Sequence, residues 1–124
     1  REHRFTDLDL DHLIEEIEDL GNRHRDALES QLTRLLMHLL KWEFQPEHQS
    51  GSWLGSIKEA RKQIKRLFRK YPSLKNYLDQ CVATCYEDAI EDASDETQLP
   101  LSAFPAKCPY EVTDILDPEF LPHS

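Results

Sequence analysis

Glycine is scarce in this chain, with three in 124 residues. Sites that cradle phosphate on bare backbone need several, and neither GxxxxGK(S/T) nor GxGxxG occurs. The HExxH zinc helix and the GxSxG nucleophile elbow are missing too. Cysteine is also sparse: three, an odd number, do not make a disulfide framework in a chain of this size. No apolar run approaches the roughly 20 residues that span a bilayer. The opening REHRFTDLD lacks the apolar core of a signal peptide. These absences point to a cytoplasmic protein with no membrane role. No stretch alternates as a half-buried strand would, and no repeat appears.

Charge, in contrast, is plentiful. Charged residues make up 31% of the chain and hydrophobic ones 39%, a composition that supports one packed domain. The net charge of −9 opposes general nucleic-acid binding, because an acidic field repels phosphate.

The stretch from Leu8 to Trp42 organises the rest. Leu10, Leu13, Ile14, Ile17, Leu20, Leu28, Leu32, Leu35, Leu36, Leu39 and Trp42 stay in one phase at about 100° per residue. That phase survives Gly21-Asn22, so the pattern predicts one long helix, bent at most at Gly21. Thr6-Asp7-Leu8-Asp9 resembles a capping box. Seven acids fall between Asp7 and Asp19, suited at their start to the positive end of a helix dipole and otherwise to a solvated face.

After Trp42 the pattern fails. EFQPEHQSGS (43–52) reads as a loop, with Ser52 as the N-cap of the next helix. That second helix, about Trp53 to Lys70, places Trp53, Ile57, Ala60, Ile64, Leu67, Phe68 and Tyr71 on one side. Lys58, Arg61, Lys62, Lys65, Arg66 and Arg69 lie opposite, as a basic stripe. Pro72 breaks the chain. A third helix follows, with Leu74, Tyr77, Leu78, Cys81, Val82, Cys85 and Ala89 inside. Its acidic end, through Asp95 and Glu96, sits badly with the helix dipole and is expected to project into water and fray. From Leu99 onward, five of the seven prolines alternate with large apolar residues. This segment (99–124) reads as an arm packed on a helical bundle (1–98), with a short helix near Tyr110–Leu116. The fold class expected is therefore all-α: a small irregular bundle of three main helices, one of them long, with a proline-rich C-terminal arm.

In order along the chain, EEIEDLG (15–21), LLMHLLKW (35–42), Pro46, Ser52-Trp53, YPSL (71–74), YEDA (86–89) and the closing LP…FP…CPY…LD…FLP resemble the bacterial domain of unknown function numbered twenty-nine. The likeness covers nearly the whole chain. It implies a small helical domain with no assigned activity, substrate or cofactor, so no catalytic residue carries over. It also implies a further N-terminal helix ahead of Arg1, whose absence from this chain would leave a groove open.

Three constellations could carry chemistry. His24, Gln31 and His38 recur every seven residues on the border of the apolar stripe. Either each histidine bonds a backbone carbonyl or carboxylate, or His38 centres a metal or proton-transfer site with Glu16, Glu18, Glu87 or Asp88 and Tyr86 nearby. Seven residues of helix rise about 10 Å, so His24 and His38 cannot share one ion. The paired Glu-x-x-His ligands of di-iron bundles are absent, and no metal or cofactor is expected. Cys81 and Cys85, at i, i+4, could join Cys108 around zinc, but small core residues explain them as well. The basic stripe (Lys58, Arg61, Lys62, Lys65, Arg66, Arg69) is a solvated face, a dock for an acidic protein or a second copy of the chain, or a phosphate track. Its aromatics lie on the apolar side, which disfavours nucleic acid. Without a complete catalytic set, the leading expectation is a non-catalytic interaction or structural module, capable of forming a homodimer. A His38-centred, metal-dependent hydrolase and nucleic-acid binding through Lys58–Arg69 are the alternatives.

Overall fold

A computed structural model describes the backbone of residues 7–123 and the side chains of residues 22–123. Among these residues every secondary-structure element is helical. Helix α1 (Asp7–Phe44) is followed by a short 3-10 turn (Pro46–His48). Then come α2 (Gly51–Lys70), α3 (Leu74–Thr97), a second 3-10 turn (Leu101–Ala103) and α4 (Val112–Leu116). The long spine expected from the periodicity is present and runs unbroken through Gly21. The Thr6 cap and the side chains of the apolar and acidic positions before Gly21 lie outside the described residues.

Local chemistry sets the helix ends. Gln49 Nε2 donates to the Trp42 carbonyl oxygen at 2.9 Å, satisfying one of the acceptors that the end of α1 leaves unpaired. Ser50, extended at φ −148° and ψ 166°, accepts the Trp53 N–H on its Oγ at 3.2 Å. The cap is therefore Ser50, not Ser52, and α2 starts two residues earlier than the first apolar position suggests. Pro72 has no N–H to continue α2. The end of α3 does not fray into solvent as expected. It holds to Thr97, where Gln98 turns left-handed at φ 62°, and Ala89 and Ala93 are fully buried. The dipole penalty on its acids is offset by a cation from another helix: Lys41 Nζ lies 2.7 Å from Glu96 Oε1.

Contacts at both ends orient the helices. Lys41 lies over the Trp53 ring and His24 stacks on Tyr71, so α2 runs antiparallel to α1. Arg25 lies over Tyr77, Tyr77 donates to Glu29, and Glu96 meets Lys41, so α3 runs parallel to α1. Both helices pack on α1 and barely touch each other. Leu35 through Lys41 are seven consecutive buried residues. No one-sided stripe produces that; the helix is covered on every side there. The arm supplies the last cover. Phe104 packs edge-on against Phe44, the Tyr110 hydroxyl donates to Glu43 at 2.7 Å, and Tyr86, fully buried, donates to the Pro105 carbonyl at 2.7 Å.

Candidate functional site

The heptad of polar residues on α1 resolves into three different environments. His24 stacks on Tyr71 with ring centroids 3.6 Å apart. Gln31 Oε1 is buried without a hydrogen-bond partner. His38 is buried and sits 2.9 Å from the Arg34 carbonyl through Nδ1. A carbonyl only accepts, so Nδ1 carries the proton and Nε2 is the free base of the neutral ring. Burial holds the His38 pKa below the ordinary 6.5. The charges of Lys41 and Arg34 act the same way, against the Arg34 carbonyl and Glu96. The carboxylate that acts on His38 is thus Glu96, already paired with Lys41. Glu87 and Asp88 are exposed on α3, and the side chains of Glu16 and Glu18 lie outside the described residues. Among the described residues no three His, Cys, Asp or Glu gather as a metal ion would require.

The cysteines behave as small core groups. Cys81 and Cys85 are buried, and their thiols reach the carbonyls of Leu78 and Glu29. Burial pushes the Cys81 thiol up to about 12 and raises Cys85 and Cys108 as well, which disfavours the reactive thiolate.

The basic stripe gains a shape that no single helix could reveal. Between α2, the start of α3 and the residues after α4 lies an open groove of about 650 Å³. Ile64 and Phe68 from α2, with Leu116 and Pro118 from the arm, supply apolar surface. Lys58, Lys62, Lys65 and Arg69 line it from α2, and Lys75 from α3. None of its lining residues is acidic. Arg66 is exposed but lies outside the groove lining. One member of the stripe, Arg61, departs from expectation. Arg61 is not on the solvated face: it is buried, donating through Nε to the Ile115 carbonyl at 2.8 Å and through Nη2 to the Asp114 carbonyl at 3.4 Å. Burial lowers its pKa and Asp117 partly restores it. The last turn of α4 leaves the Ile115 carbonyl without a backbone donor, whereas the Asp114 carbonyl already accepts the Asp117 N–H; the guanidinium satisfies the first and shares the second. Arg61, mid-way along α2, is buried because the arm folds over it.

A second cleft, of about 610 Å³ between α1 and α3, has the opposite sign. Asp26, Glu29, Asp88, Glu91, Asp92 and Glu96 line it, with Arg34 as its one cation. Burial, with Asp88, Glu96 and Asp95 adding to it, raises the Asp92 pKa. The molecule thus separates its charges onto different flanks of α1.

The family described as "Domain of unknown function DUF29" matches residues 1–121, nearly the whole chain. The chain belongs to this family. Nothing in this match supports the expectation of a missing N-terminal helix. No curated protein and no solved structure matches significantly. No described helix is long and apolar enough to cross a membrane.

Within this DUF29 domain the groove residues that sequence reasoning missed are Lys75, Leu116 and Pro118. The arm's density of apolar residues signals that it packs, and nothing local in it signals onto which helix. Tyr86, expected near His38, is an internal strut for the arm: it is fully buried and donates to the Pro105 carbonyl.

Proposed function

We propose that the domain is a non-catalytic protein-interaction module whose working surface is the groove between α2 and the C-terminal arm. One observation carries this reading: apolar surface from Ile64, Phe68, Leu116 and Pro118 is ringed by cations with no acid among the lining residues. Such a surface suits a segment that is apolar on one side and acidic at its margins. Apolar contact supplies the affinity, and the rim charges steer and orient the partner. An acidic amphipathic helix fits that description, in the helix-in-groove manner. Nucleic acid suits it less. Tyr71 is stacked on His24 and Trp53 lies under Lys41, so these two aromatics are already used inside the fold.

The test is titration of the full chain with a labelled helical peptide of Glu and Leu, Leu at i, i+3, i+4 and i+7, followed by fluorescence anisotropy. Binding should weaken at least about tenfold from 50 to 500 mM NaCl and on Lys62→Glu with Lys65→Glu, since several exposed ion pairs are screened or reversed together. A peptide with Lys in place of Glu should not bind. Equal binding of both peptides, or of neither, would overturn the reading.

A further inference from the structure

We infer that the occupant of this groove is a second copy of the chain, which inserts the amino-terminal half of its own α1. The inference rests on the groove reading above and adds the identity of the partner.

The first observation is where α2, α3 and the arm meet the described part of α1. The turn between α2 and α3 lies beside His24, which stacks on Tyr71, and α3 begins against Arg25 and Glu29 through Tyr77. The arm anchors at the other end, on Glu43 and Phe44. The contacts of α2, α3 and the arm thus reach the described part of α1 from His24 to Phe44. The helical backbone, however, begins at Asp7.

The second observation is what the sequence places on that leading stretch. Residues 7–20 hold seven acids and no Lys or Arg. Taking those charges from the net of −9 leaves −2 for the remainder, where bases nearly balance acids, so this segment carries most of the net charge. Leu10, Leu13, Ile14 and Ile17 stand at i, i+3, i+4 and i+7, the spacing of one helix face. This is the acidic amphipathic helix whose chemistry the groove calls for.

The dimensions agree. Fourteen helical residues span about 21 Å, and the basic stripe from Lys58 to Arg69 runs about 17 Å along α2. The acidic cleft between α1 and α3 is a poorer occupant, because it is concave and offers no apolar ridge to insert. Since every copy carries both the helix and the groove, the exchange can be reciprocal, and a reciprocal contact closes as a two-fold pair.

Sedimentation velocity of the full chain from 5 to 500 µM tests this at low and high salt. The expected result is a concentration-dependent dimer whose dissociation constant rises at least about tenfold between 50 and 500 mM NaCl. Lys62→Glu with Lys65→Glu, and separately Glu15→Lys with Glu18→Lys, should each give monomers with unchanged helical circular dichroism. Mixing the two variants should restore a dimer, because the reversed helix of one meets the reversed groove of the other. A monomer at every concentration overturns the inference, as does a dimer indifferent to both reversals. If the chain is monomeric while the Glu-Leu peptide still binds with salt sensitivity, the self-association fails and the groove reading stands. If the peptide also fails, both fall.

Discussion

Arg61 on α2 hydrogen-bonds the Ile115 carbonyl at 2.8 Å across 54 residues of sequence, and through it the C-terminal arm is tied to the second helix. Ile115 is itself fully buried beside this bond. The same tie places Leu116 and Pro118 along the groove. A buried cation that closes the fold therefore also shapes the candidate binding surface.

Replacing Arg61 with methionine should retain much of the aliphatic packing and leave the Ile115 carbonyl buried without a donor. Such a group costs about 1–3 kcal/mol. The expected outcome is a loss of that size in urea unfolding, with faster hydrogen exchange confined at first to residues 112–116. A midpoint within about 0.5 kcal/mol of the parent, the range of ordinary surface changes, would show that the bond contributes little.

Gln31 offers the opposite case. Its Oε1 is buried with no partner, so the native chain already bears a desolvation cost there. Gln31→Leu removes the polar atom at similar length and should raise stability by about 1 kcal/mol. Thermal unfolding reads this directly; a lower melting temperature would mean that the amide is doing something the fold needs.

The buried imidazole of His38 makes the domain sensitive to acid. Its pKa in the folded chain lies below the unfolded value of 6.5, chiefly through burial. The folded state therefore binds fewer protons, and the associated stability is present above pH 6.5 and lost as pH falls through the lower folded value. Urea midpoints should decline from pH 7 toward pH 5, and His38→Asn should flatten that slope. A slope unchanged in the variant would assign the acid sensitivity elsewhere.

At high pH the two tyrosines that fasten the arm, Tyr86 of α3 and Tyr110, add to the loss caused by the raised thiols of Cys81, Cys85 and Cys108. Burial pushes Tyr86 up to about 12, and burial with the neighbouring Glu43 raises Tyr110 further. A raised folded pKa means that stability is full below the ordinary value near 10 and falls as pH climbs from there through the folded value. Unfolding followed from pH 8 to 11.5 should show a loss that begins near the ordinary thiol value of about 8.5 and steepens near pH 10, where the tyrosines join. Tyr86→Phe should reduce the loss, while lowering stability near neutrality by about 1 kcal/mol through the missing bond to Pro105. An identical alkaline slope in the variant would contradict the assignment.

Much of the architecture was legible before any coordinates. A helix is written in local terms, since each N–H bonds four residues back and each buried face recurs every 3.6 residues. Leu28, Leu32, Leu35, Leu36 and Leu39 therefore marked the spine, Pro72 marked the break between α2 and α3, and the prolines after Leu99 marked an irregular arm. The all-α bundle of three main helices follows from these alone.

Depth and neighbourhood were decided elsewhere. Arg61 and Lys62 are adjacent in sequence and equally basic, yet one is buried under the arm and the other rims a groove. Lys41 stands in the last turn of the spine, and it is buried only because Glu96, 55 residues on, and Trp53 close over it. The groove itself is assembled from α2, the first turn of α3 and the tail of the arm, none of which encodes where the others will lie. Periodicity determines which way a side chain points along its own helix; only the packing of distant segments determines whether it meets water, a carbonyl or another charge.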